Sequence, residues 1–278
     1  MGNVYLVLEQ GAWVGASAGG APPAALVRAV CDHHRGVGAD GVLIESVDAG
    51  SRPALRVFNP DGSEAETSGN GLRIFARFLW DRGRVGADPF EVATRGGVVR
   101  CQVGEAGQDV LVEMGRASFD SGAVPVAGQR REVVAEPIEV LGERLRFTAV
   151  TVGNPHCVVF VDEPTAALAA RLGPALENHP LFPRRTNVQF VRVVDRGRVE
   201  VEVWERGAGR TLASGSSACA AAAASVRLGL CDGAVTVAMA GGELEVGVSP
   251  AFELTLLGPV RGVAEGTLAD ELERDTVG

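Results

Sequence analysis

The chain matches itself at an offset of 146 residues, and any fold it adopts must accommodate that repeat. Ser214-Gly215 falls on Ser68-Gly69, and Trp204-Glu205 falls on Phe58-Asn59. Residues 201–203 fall on 55–57, and Asn187-Val188 falls on Gly41-Val42. A slightly shifted match sets Gly2-Asn3 against Gly153-Asn154, each opening an apolar strand. One coincidence would be ordinary punctuation of a β-rich chain. Several in the same order predict two similar domains facing each other. The expected halves are 1–115 and 116–259, with a C-terminal strand over 260–278 returning to the first half.

Between the matched points the chain alternates apolar and polar residues in short runs, such as "DGVLIESVD", "ALRVFN" and "HCVVFVDE". Helical spacing occurs only at about 22–33, 69–81, 165–172 and 216–228. This predicts an α+β protein dominated by antiparallel sheet. With 278 residues, 46% hydrophobic and 22% charged, the chain can bury a core and is not of the disordered class.

The net charge of −9 argues against a nucleic-acid or acidic-membrane surface. No apolar run reaches the roughly 18–20 residues a bilayer span needs. The opening "MGNVYLVLEQG" lacks the basic segment of a signal peptide, so the cytoplasm is the expected compartment. Five cysteines (Cys31, Cys101, Cys157, Cys219 and Cys231) include no CxxC pair, so neither a disulfide framework nor a zinc site is expected. They are expected to be buried small hydrophobes. All 26 basic residues are arginine. Without lysine the chain cannot anchor pyridoxal phosphate as a Schiff base, and no cofactor or metal is expected.

The two Ser-Gly turns each open a predicted helix. A helix start leaves backbone N–H groups free and carries about half a positive charge. Such an end suits a carboxylate or an enolate-like oxygen. Two of them meeting across a cleft could hold one small acid, with Ser68 and Ser214 on opposite faces of it. Serine is also a common N-cap, so each has a purely structural reading beside the functional one.

Five stretches carry a family resemblance: "CDHHRGVGADGVL" (31–43), "LRVFNPDGSEAETSGNGLRIFARF" (55–78), "VGNPHCVVFVDE" (152–163), "LGPALENHPLFPRRTNVQFV" (172–191) and "WERGAGRTLASGSSACAAA" (204–222). Through them the chain resembles the diaminopimelate epimerase family over nearly its whole length. The resemblance implies two pseudo-symmetric domains, each an antiparallel β-barrel around a central helix, with the active site in the interdomain cleft. It also implies cofactor-free inversion at an amino-acid α-carbon, one group removing the proton and another returning it on the opposite face. The expected reaction is LL- to meso-diaminopimelate, serving lysine and cell-wall synthesis.

The family uses two cysteines for the proton transfers; Ser68 and Ser214 occupy those positions here. A serine hydroxyl needs an adjacent base, and His156 and Glu205 match the family positions nearest the pair. The family also has glycine at the position of Ser217 and usually an acid at that of Arg210. The residues matching its substrate-binding set are Asn3, Asn59, Asn154, Asn187, Glu205 and Arg206. Gly69, Asn70, Gly215 and Ser216 match the turns around the reacting carboxylate and amine. The implied partner is a small amino acid, with no nucleic acid and no membrane, and a homodimer is compatible with the resemblance. Three alternatives stay open: a Ser/Ser homologue catalysing another proton-shift isomerisation, a ligand-binding protein with impaired catalysis, and a Cys-to-Ser variant.

Overall fold

The computed structural model describes residues 2–9, 21–48, 50–65, 68–269 and 271–272. The chain divides into two compact units. One comprises Asn3–Val112 with Pro259–Gly278, the other Glu113–Gly258 with Met1–Gly2.

The first unit runs β1 (Leu6–Leu8), α1 (Ala24–Cys31), β2 (Val42–Val47), β3 (Pro53–Phe58), β4 (Glu64–Ala65), α2 (Gly69–Asp81), β5 (Phe90–Thr94), β6 (Gly97–Val103) and β7 (Asp109–Arg116). Its strands lie in the order β1-β2-β3-β5-β6-β7. The chain continues through β8 (Glu136–Val140), β9 (Glu143–Thr151), β10 (Pro155–Phe160), α3 (Ala166–Glu177), β11 (Asn187–Asp195), β12 (Arg198–Glu205) and β13 (Gly209–Thr211). It ends on α4 (Gly215–Arg227), β14 (Ala234–Met239), β15 (Gly242–Val248) and β16 (Glu253–Pro259). The second unit's strand order is β16-β15-β14-β12-β11-β10-β9-β8.

The two element sequences are the same once the β8–β9 hairpin is set aside. β1-α1-β2-β3-β4-α2-β5-β6-β7 corresponds to β10-α3-β11-β12-β13-α4-β14-β15-β16. Helices α2 and α4 are each 13 residues long and begin 146 positions apart. Their N-caps share one extended backbone shape, φ −145° and ψ 120° at Ser68, φ −147° and ψ 125° at Ser214.

The expected α+β fold with central helices is formed, on sheets that are mixed. Most neighbours are antiparallel, but β1–β2, β3–β5, β10–β11 and β12–β14 are parallel. Each of these four pairs is joined through a helix, and a helical crossover returns the chain in its original direction. The strand expected over 260–278 is not formed in its described part: β16 ends at Pro259 and residues 260–269 are irregular, the rest lying mostly outside the described residues. Helix α3 runs past the expected stop at Leu172 to Glu177. Pro174 lies inside it, near its end, where its own carbonyl still accepts from Asn178 N.

Packing follows from composition. Helix α4 reads GSSACAAAAASVR and buries every residue from Ser217 to Ser225. Side chains no larger than cysteine let strands β9–β12, β14 and β15 approach it on all sides. Helix α2 is amphipathic, burying Leu72, Phe75, Ala76 and Leu79 at helical spacing against β2, β3 and β6. Helix α3 presses Gly173 onto Trp204 of β12, where an added Cβ would lie 2.5 Å from the indole Cγ. Gly173→Ala is therefore expected to destabilise the protein by about 1–3 kcal/mol, the usual range for overpacking. A urea midpoint equal to that of the parent would contradict this contact.

Candidate active site

At the start of α2, Ser68 acts as a cap: its Oγ accepts from Gly71 N at 3.1 Å. Two asparagines expected in the site meet here. Asn70 Nδ2 donates to Asn3 Oδ1 at 2.7 Å, bringing together residues 67 positions apart. Arg73 was not among the sequence candidates. Its side chain is almost wholly buried, and its guanidinium donates to Asn70 Oδ1 at 2.7 Å and to Gly69 O at 3.4 Å. Arg73 thus holds the Asn70 amide with its nitrogen toward Asn3. The signal was present in the sequence as an arginine one helical turn after Asn70 on the otherwise apolar face. Asn59 does not join this group; its Nδ2 donates to Ser63 Oγ at 3.0 Å, within the turn after β3.

The start of α4 is built differently. Ser214 is buried and makes no side-chain cap bond. Its hydroxyl lies 3.5 Å from Ser216 Oγ, and Glu205 is near enough for that hydroxyl to favour its charged form. Glu205 Oε1 also accepts from Thr211 Oγ1 at 2.6 Å, a contact the sequence did not reveal. Desolvation holds the Glu205 carboxyl above its ordinary range, partly offset by the two hydroxyls that favour its charged form.

Sheet register explains why these groups converge. His156 is in register with Asn187 across β10–β11, and Val188 with Trp204 across β11–β12. Side chains alternate along a strand, so His156, Asn187, Gln189 and Glu205 share the face that packs on α4. Asn154 Nδ2 reaches Ser216 Oγ at 3.4 Å, and Asn154 Oδ1 faces His156 Nε2 at 2.9 Å. Burial, with the positive charge of Arg206 adding to it, pushes the His156 imidazole down to about 3. At neutral pH it is uncharged. Asn187 works on the backbone, donating to Pro155 O at 2.9 Å and accepting from Arg206 N at 3.0 Å.

Arg206 is exposed, and its guanidinium donates to Arg184 O at 3.1 Å. Among the described residues it has no carboxylate partner. Arg210, by contrast, forms a two-pronged pair with Glu202 at 2.8 and 3.0 Å. The turn carrying Glu205 and Arg206 is tied to α3 through Glu177, which accepts from Trp204 Nε1 at 2.7 Å and from Gly207 N at 2.9 Å and pairs with Arg185. All five cysteines are buried, and burial pushes the Cys157 thiol far up. Among the described residues no cluster of His, Cys, Asp or Glu could hold a metal ion, and no helix is long and apolar enough to cross a membrane. A surface depression lined by Phe160, Asp162, Arg192 and Leu230 contains none of the candidate residues.

A sequence model of the family described as diaminopimelate epimerase matches residues 1–119 and 148–263. Diaminopimelate epimerase 2 of Nostoc sp. is 47% identical over 247 residues, covering 88% of this chain and 87% of its own. Diaminopimelate epimerase of Moorella thermoacetica is 44% identical over 228 residues, covering 81% and 82%. Among solved structures, a methylitaconate-delta-isomerase shares the fold with a TM-score of 0.66 at 12% identity, over 99% of this chain and 95% of its own.

Glu177 gives a pH test of the turn. Burial would raise its carboxyl, but hydrogen bonds from Trp204, Gly207 and Arg185 outweigh it and hold the group below its ordinary range. A depressed carboxyl contributes stability that is fully present above its unfolded pKa, about 4.3, and is lost as pH falls through the folded value. Glu177→Gln is expected to lose about 1–3 kcal/mol at pH 7. It should also show a weaker dependence on pH below about 4.3 than the parent. Parallel urea slopes across that acid range would contradict the assignment.

Proposed function

The chain belongs to the diaminopimelate epimerase family, and we propose that Ser68 and Ser214 are its two proton-transfer groups. The chain is an isomerase, an amino-acid epimerase that works at the α-carbon without pyridoxal phosphate. What carries the assignment of Ser214 is its contact with Glu205 at the start of α4. As the Ser214 oxygen takes the α-proton, its own hydroxyl proton passes to the Glu205 carboxylate, and the reverse transfer returns it. Desolvation makes Glu205 more basic than an exposed carboxylate, which favours that transfer. The free N–H groups of the helix start suit the negative charge developing on the substrate carboxylate.

The substrate of this reading is diaminopimelate, an amino acid with two amino-acid ends. Arg206, without a carboxylate partner among the described residues, binds the distal carboxylate. Asn187 fixes the backbone from which it projects. Asn3, Asn70, Asn154, Gly69, Gly215 and Ser216 supply polar groups around the reacting end, and the product feeds lysine and cell-wall synthesis.

A second reading rests on one observation: Ser68 Oγ is occupied in capping Gly71 N. A chain with one activated serine would suit a proton shift returned on the same face. The two readings separate in deuterated water. The epimerase reading expects exchange of the diaminopimelate α-proton with inversion; exchange without inversion supports the one-serine reading. Binding with neither leaves a ligand-binding protein.

Two variants sharpen this. Ser68→Cys combined with Ser214→Cys is expected to epimerise faster than the parent, either single change helping less. The gain should grow as pH rises toward the thiol pKa, roughly 8.5 before the helix ends act on it. A folded, ligand-binding double variant with no gain would remove the two serines from the proton-transfer role. Arg206→Ala is expected to weaken diaminopimelate binding by at least about 2 kcal/mol. Unchanged affinity in calorimetry would remove diaminopimelate as the ligand.

A further inference from the structure

The polar groups around the start of α4 form a chain whose direction is fixed at one end. An ionised carboxylate only accepts hydrogen bonds. A Ser214 hydroxyl turned toward Glu205 can therefore only donate to it, which leaves its oxygen to accept, with Ser216 Oγ 3.5 Å away. If Ser216 donates there, its own oxygen accepts from Asn154 Nδ2 at 3.4 Å. Asn154 Oδ1, 2.9 Å from the ring, then requires a proton on His156 Nε2. A neutral imidazole protonated at Nε2 has a lone pair at Nδ1, which needs a donor.

Gln189 lies beside that imidazole and is wholly buried, as is Ser217. With Gln189 Nε2 donating to Ser217 Oγ at 3.0 Å, both His156 Nδ1 and Gln189 Oε1 are buried without a partner. Two such orphans side by side would each carry the desolvation cost of an unpaired buried polar group. Half a turn about the last torsion of Gln189 exchanges its oxygen and nitrogen, which are nearly equal in shape, and turns a donor toward the orphaned Nδ1. Nε2 then donates to His156 Nδ1, and Oε1 accepts from the Ser217 hydroxyl. Every donor now points the same way: Ser217 to Gln189, His156, Asn154, Ser216, Ser214 and finally Glu205. Bonds aligned in this way polarise one another.

We propose that Gln189 and Ser217 are positioning residues that set the His156 tautomer and, through Asn154 and Ser216, direct a one-way chain of hydrogen bonds onto Ser214. The proposal rests on Ser214 as a proton-transfer group. Ser217 supplies the hydroxyl that begins the chain. Neither residue touches the substrate; both act through His156.

The test is the nitrogen-15 NMR spectrum of His156 in the ligand-free protein at neutral pH, assigned by its loss in His156→Asn. The expected result is a proton on Nε2 and an Nδ1 lone pair that accepts a hydrogen bond; a proton on Nδ1 overturns the proposal. In Gln189→Met, close in volume but without a donor, the Nδ1 resonance should move to that of a free lone pair. In the same variant kcat for α-proton exchange should fall about tenfold, a fraction of a full acid–base contribution, with KM little changed. An unmoved Nδ1 resonance overturns the proposal, and if Gln189→Met does not fold, the parent tautomer alone decides. The tautomer is read without substrate, so the two failures separate. An Nε2-protonated ring in a protein that exchanges no diaminopimelate proton supports the chain and removes the epimerase role of Ser214. Exchange in a protein with Nδ1 protonated does the reverse.

Discussion

A helix buried along most of its length brings its first turn under strands, and the second unit is arranged around that constraint. The run from Ser217 to Ser225 is buried, so the first turn of α4 lies under strands. Its free N–H groups, together with the polar side chains that face them, need partners from protein or ligand. Ser214 does not spend its hydroxyl on the cap. It spends it on Glu205, a carboxylate whose own burial is compensated by Ser214 and Thr211. Partnering Ser214 with Glu205 instead of with the helix leaves N–H groups open for an acid from outside.

The first unit's amphipathic helix α2 is less deeply covered and makes the opposite choice. Ser68 caps Gly71 N, and the polar work passes to Arg73, Asn70 and Asn3. Two helices of equal length and matching N-cap backbone therefore carry chemically unequal serines. The inequality follows from neighbours, not from the repeat. β12 ends in Glu205 beside α4, while the corresponding position after β3 is Asn59, engaged in its own turn.

Much of this was legible in the sequence for a definite reason. Helix starts are local: Ser-Gly before an apolar periodicity predicts the cap, and the offset of 146 residues places both. The parallel pairings were not legible, because alternation along a strand is the same whichever way its neighbour runs. The end of α3 was misplaced because Gly173-Pro174 ordinarily stops a helix, whereas here the glycine is needed to seat Trp204. The site divided along the same line. Residues inside long motifs, such as Asn154, His156, Glu205 and Arg206, could be named in advance. Gln189 lies inside one of those motifs too but could not, since a single glutamine in the strand "NVQFV" gains meaning only when register turns it toward His156.

The same register gives a physical account of serine at position 214. Glu205 and the residue at 214 share a desolvated space, where two negative charges would oppose each other. A thiol there would have its thiolate favoured by the helix start and disfavoured by the carboxylate. A hydroxyl is neutral at rest, so the only charge the site must support is that of Glu205, already held by two donors. In the proposed role of Ser214, the negative charge stays on the carboxylate until the α-proton moves to the serine oxygen and the hydroxyl proton to Glu205. Serine is thus matched to a buried carboxylate neighbour, and its weakness as an acid is offset by a base in direct contact rather than by a lowered pKa of its own.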